Sequence, residues 1–115
     1  PYESYIECGS KYVTTERGIS QFWSGYIQNA KEAHHPYVSP MQAPDLSNLP
    51  PALIITAEYD PLRDEGEEYA HRLLESDVSV RAIRYDGTIH GFLGLFADKE
   101  EGQQAYSEIT QFLIK

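Results

Sequence analysis

At 115 residues the chain is the size of one domain, with room for a single core but not for a large cleft under its own lid. A net charge of −9, with nine scattered Lys and Arg residues, argues against nucleic acid and an anionic membrane surface as partners, and no apolar run is long enough to span a bilayer. The single cysteine, Cys8, rules out an internal disulfide and fits a reducing, cytoplasmic compartment, or equally a small buried apolar residue. The chain opens on proline with no signal-like segment before it, and so reads as a piece of a longer protein.

Residues 1–14 are rich in Tyr and Ser without a clear period, which predicts irregular structure. Thr14 or Thr15 then caps a helix in which Ile19, Phe22, Trp23, Tyr26 and Ile27 follow helical spacing. That aromatic face either packs on a core, as such stripes normally do, or lines an apolar substrate pocket. From Ala33 to Pro51 five prolines exclude regular structure and predict an extended connector. His34-His35 within it lacks the further ligands a metal site needs and reads as an exposed pair.

The organising stretch follows. Leu53-Ile54-Ile55 is a continuous apolar run, which suits a strand at 52–57 covered on both faces in a parallel sheet. The run ends at Asp60, and Pro61 opens a helix through Leu73. Leu62, Gly66, Tyr69, Ala70, Leu73 and Leu74 mark its apolar face, and Arg63 falls with Asp64, Glu67 and Glu68 on the solvated one. A second strand at 78–85, interrupted by Arg81 and Arg84, reads as an edge strand parallel to the first. The loop after it is Asp86-Gly87-Thr88-Ile89-His90-Gly91-Phe92. Asp98-Lys99-Glu100-Glu101 is a capping signal for a last amphipathic helix carrying Tyr106, Ile109, Phe112 and Leu113.

Adjacent parallel strands end on the same edge of a sheet, so the loops at Asp60 and after Tyr85 would be neighbours. A carboxylate accepting the imidazole N–H of His90 would fix its tautomer and make it a general base. Each residue also has a plain alternative: Asp60 as a helix cap, His90 as an exposed loop residue.

The run from Pro50 to Gly66, Pro-Pro-Ala-Leu-Ile-Ile-Thr-Ala-Glu-Tyr-Asp-Pro-Leu-Arg-Asp-Glu-Gly, with Tyr85-Asp86-Gly87-Thr88-Ile89-His90-Gly91-Phe92 after it, closely resembles the hormone-sensitive-lipase-like family of α/β-hydrolase esterases. The resemblance implies an α/β fold, the C-terminal part of an α/β-hydrolase, with Asp60 and His90 as the acid and histidine of a Ser-Asp-His triad. It also implies that residues 1–48 are the second cap portion and connector and that 49–115 belong to the catalytic domain. Trp23 and Phe92 would then be substrate-binding. The substrates implied are short to medium acyl esters, with no cofactor and no metal.

One part of the pattern is missing from these residues. None of the nine serines lies in a G-x-S-x-G frame, and there is no H-G-G-G loop. The nucleophile is therefore expected N-terminal to Pro1, and the isolated chain is expected to be inactive. Apolar surface near Leu53 to Ile55 should await the rest of the parent or a second copy. Two other readings are a hydrolase-fold protein that binds a ligand without catalysis, and an interaction module dimerising through the second strand and last helix.

Overall fold

The computed structural model describes residues 2–12 and 14–114. Its centre is a parallel pair of strands, β1 (Ala52–Tyr59) and β2 (Val80–Ile89), joined by helix α3 (Arg63–Glu75). Two helices precede the pair, α1 (Glu3–Cys8) and α2 (Glu16–Tyr26), and two follow it, α4 (Phe92–Leu95) and α5 (Glu100–Leu113).

Each face of the strand pair meets its own apolar layer. Ile55, Ala57, Ile83 and Tyr85 pack with Phe92, Leu93 and Ala105 on one side. On the other, Ala52, Ile54 and Val80 pack with Tyr69, Leu73, Val78 and Leu46. The unbroken apolar run of β1 predicts covering on both faces; both layers are there, but Leu53, Ile54 and Ile55 remain half-buried, in line with apolar surface left near them. The arginines that interrupt β2 are tied down by bidentate ion pairs, Arg81 to Glu108 of α5 and Arg84 to Glu67 of α3.

Several expectations are corrected. Residues 3–8 are helical because Ser4 and Cys8, four apart, bury one short face, too short to show as a period. Gly9 ends the helix where a Cβ would lie 2.3 Å from the Tyr5 carbonyl oxygen. Short 3-10 turns interrupt the connector, one at Ala30–His34 capped by the Asn29 side chain and one at Pro40–Gln42, where Pro40 occupies a first position that needs no N–H. Arg72 fastens that stretch to α3 by donating to the carbonyls of Met41 and Ala43.

Within α3, Leu74 is exposed and Arg63 is buried, the reverse of the periodic assignment. Strand β2 runs on to Ile89 instead of stopping at Tyr85. Asp98 does not cap α5, whose N-cap is Lys99. Gly102 and Ala105 are the buried residues of α5 and Ile109 and Phe112 are half-buried, while Tyr106 and Leu113 are exposed; at Gly102 the helix passes so close to the Phe96-Ala97 backbone that no larger residue fits. Thr15 does cap α2, accepting from the Gly18 N–H at 3.0 Å. Among the described residues, no helix is long and apolar enough to cross a membrane.

Candidate active site

The site lies where β1 and β2 end together. Their pairing is regular from Ala52 opposite Val80 to Ala57 opposite Tyr85; then the step from Ala57 to Tyr59 is matched by the longer step from Tyr85 to Ile89. The surplus is taken up by Asp86-Gly87-Thr88, a bulge of the kind that re-aims a strand beside functional residues. Gly87, at φ 77°, adopts the left-handed conformation and donates its N–H to Glu58 Oε1 at 2.8 Å. The Thr88 hydroxyl donates to the Tyr85 carbonyl at 2.6 Å.

This excursion delivers His90 to Asp60. His90 Nδ1 lies 2.7 Å from Asp60 Oδ2. Asp60 Oδ1 accepts the Leu62 N–H at 2.9 Å, so both carboxylate oxygens are engaged. The acid is buried, 7% exposed. The His90 side chain is 47% exposed, so Nδ1 is spoken for while the ring remains accessible. Gly91, at φ 81°, turns the chain directly after the histidine. Phe92 then anchors the turn in the core against Tyr85, with ring centroids 5.5 Å apart.

The acid turn is braced from behind. Arg63 donates through Nη1 to the Glu58 carbonyl at 2.7 Å, through Nε to Asp64 Oδ1 at 2.9 Å and through Nη2 to Glu7 Oε2 at 3.1 Å. Burial works against its charge, but Asp64 and Glu7 raise its pKa. Burial would likewise raise Asp64, yet Arg63 and the Ser4 N–H hold that carboxyl below its usual range. Cys8 is buried beside the same turn, Sγ 3.9 Å from the Glu58 carbonyl, and burial pushes its thiol up.

In front of His90 is an apolar cavity of about 510 Å³, lined by Ile19, Phe22, Trp23, Tyr26, Val38 and Leu62 with Glu65 at its edge. Burial raises the Glu65 carboxyl, partly offset by a hydrogen bond from Tyr5. None of α2 is buried, so its aromatic face does not pack on a core here; it borders this cavity. A narrower cleft of about 170 Å³ runs between Ile55, Asp60, His90 and Phe92. Of the four predicted site residues, Asp60 and His90 touch, Trp23 shares the larger cavity with His90, and Phe92 is a core residue bordering the narrow cleft. Sequence reasoning passed over Ser4, Arg63 and Glu65. The one signal for Arg63 was a lone cation among Asp64, Glu65, Glu67 and Glu68. His34 and His35 are exposed.

The profile of the alpha/beta hydrolase fold matches residues 1–94. The chain belongs to the α/β-hydrolase family. Within it the relatives that the chain matches are esterases of the hormone-sensitive-lipase-like group, the family that its motifs resemble. It is 55% identical over 69 residues to an arylesterase of Saccharolobus solfataricus, covering 60% of this chain and 22% of that protein. It is 43% identical over 90 residues to the carboxylic ester hydrolase LipN of Mycobacterium tuberculosis, covering 76% and 24%. The solved structure of an esterase from Pyrobaculum calidifontis superposes with a TM-score of 0.88 at 48% identity, over 95% of this chain and 36% of that one. The chain thus spans between 22% and 36% of the length of these relatives.

Proposed function

We propose that this chain supplies the acid and the base of a Ser-Asp-His triad in a carboxylic-ester hydrolase, the serine coming from polypeptide outside these 115 residues. The observation that carries the reading is the 2.7 Å contact of His90 Nδ1 with a buried carboxylate whose other oxygen is held by a backbone N–H. With Nδ1–H donated to Asp60, Nε2 is the ring atom left to accept a proton. It takes the proton of the serine hydroxyl as that oxygen attacks the ester carbonyl, and returns it to the departing alcohol. Water then attacks the acyl carbonyl by the same route, giving up its proton to Nε2, and Nε2 passes that proton to the serine oxygen as its bond to the acyl group breaks and the acid leaves. Asp60 holds the tautomer and stabilises the imidazolium at each stage.

In this reading residues 1–48 are cap and connector and residues 49–115 belong to the catalytic domain. Trp23 contributes to the wall of the acyl pocket, and Phe92 forms the floor of the cleft beneath His90. Support comes from the cavity that Trp23 shares with His90 and from relatives whose names are those of esterases. The apolar lining suits short to medium acyl groups.

The test is hydrolysis of a short p-nitrophenyl ester, with the intact mass of the sample measured alongside. A polypeptide extended to carry a nucleophile should cleave it, and His90→Ala should lower kcat by about 10⁶-fold. The 115-residue chain alone should be inactive. Full activity in His90→Ala, or His90-dependent activity of the 115-residue chain, would refute the assignment.

A further inference from the structure

The acid turn has a capping problem that its own sequence does not solve. Helix α3 begins with Leu62 at the N-cap and no side-chain cap. Aspartate is a favoured capping residue, and Asp60 sits two residues ahead, but its carboxylate is already divided between the Leu62 N–H and His90.

Ser4 supplies what is missing. Its hydroxyl donates to the Pro61 carbonyl at 2.6 Å and accepts the Asp64 N–H at 3.3 Å. Its own backbone N–H donates to Asp64 Oδ2 at 2.8 Å. Serine oxygen to helix N–H, and helix acid back to serine N–H, is the reciprocal arrangement of a capping box. Here it is assembled across 60 residues, from α1 onto α3, and Ser4 is wholly buried, at 0% exposure.

We propose that Ser4 is a positioning residue for the triad acid: by capping α3 from outside, it leaves the Asp60 carboxylate free to hold His90. The proposal rests on the triad reading given above. Without the hydroxyl, the Asp64 N–H and Pro61 carbonyl are left unpaired, and the carboxylate available to answer the N–H is that of Asp60. A carboxylate drawn toward the helix start releases Nδ1.

The test is Ser4→Ala, read by the ¹⁵N resonances of the His90 ring at alkaline pH, where a neutral imidazole reports its tautomer. The 115-residue chain serves for this, since no nucleophile is needed. In Ser4→Ala the Nδ1–H population should fall, and in the ester-cleaving polypeptide kcat should fall about tenfold with KM within about twofold. Should Ser4→Ala not fold, Ser4→Cys, close in size with weaker hydrogen bonding, should shift the tautomer less but in the same direction. Leu73→Ala, which loosens the opposite layer, should leave the tautomer unchanged. A folded Ser4 variant with the parent's tautomer overturns the proposal, as does a Leu73→Ala shift as large as that of Ser4→Ala. Asp60→Asn separates the two readings: undiminished ester hydrolysis there would remove the triad itself, whatever Ser4 does.

Discussion

Replacing Arg63 with methionine keeps much of the buried stem and removes every donor. The side chain is 10% exposed and binds three acceptors, which lose it unequally. Glu7 is 46% exposed and Asp64 25%, and Asp64 keeps the Ser4 N–H, so water and existing partners absorb most of that loss. The Glu58 carbonyl near the end of β1, half-buried, forfeits its 2.7 Å partner, and an acceptor left unsatisfied costs about 1–3 kcal/mol. Part of the cost is offset because a guanidinium no longer has to be desolvated. The net is a destabilisation of about 2 kcal/mol, or a urea midpoint lower by roughly 1 M at neutral pH. The pH dependence makes the reasoning sharper. Asp64 is held below its usual range in the fold, so its contribution is present above about pH 4 and is lost as pH falls through the folded value. Arg63→Met lacks the part of that contribution that the guanidinium supplies, while the Ser4 N–H keeps its own, so the gap to the parent should narrow on acidification. Equal midpoints at pH 7, or a gap that does not change with pH, would refute this account.

Three further outcomes can be checked in the same way. Burial raises the Glu65 carboxyl, and an acid raised in the fold weakens it above its unfolded pKa; Glu65→Gln should therefore be more stable at neutral pH by less than about 1 kcal/mol after solvent screening, with the difference gone below about pH 4. A hydrogen bond to Glu68 pushes Tyr2 up to about 12, and burial beside Glu65 pushes Tyr5 up to about 12. Both phenols keep their protons longer folded than unfolded, so stability should fall as pH rises from about 10 to 12, more gently in Tyr5→Phe, as followed by denaturant midpoints across that range. Gly102→Ala would set a Cβ 2.4 Å from the Phe96 carbonyl oxygen, so α5 must shift; a loss of about 1–3 kcal/mol is expected from the change in Tm.

What the sequence disclosed divides by range. The apolar run of β1, the proline opening α3 and the glycine after His90 are local signals, and together with the two motifs they disclosed the parallel pair and the residues that meet at its end. The capping role of Thr15 was readable for the same reason. Contacts set by tertiary packing were not. Arg63 lies on a helix face that periodicity assigns to water, and it is buried because α1 covers that face. Helix α1 spans only six residues, and its partners are some sixty positions away. The aromatic stripe of α2 was legible as a stripe, but whether it met a core or a cavity depended on neighbours no local pattern specifies.

The Asp60–His90 pair owes its geometry to contacts within the described residues. Leu62 holds one oxygen of Asp60, Ser4 and Arg63 hold the turn that carries it, and Phe92 anchors the turn that carries His90. The neighbouring surface is apolar and incompletely covered: half-buried Ile55 lines the cleft at the pair, Leu53 and Ile54 further back along β1 are also only half-buried, and Phe22 across the larger cavity is 81% exposed. In the triad reading, this division makes chemical sense. The tautomer of the base must be correct before a nucleophile arrives, because its formation depends on Asp60 and not on serine. The segment bearing the nucleophile then has only to dock against apolar surface and bring its oxygen within reach of Nε2. Binding energy on one face and proton-transfer geometry on the other are thus separable, and a substitution at the docking face should weaken assembly without disturbing the His90–Asp60 bond.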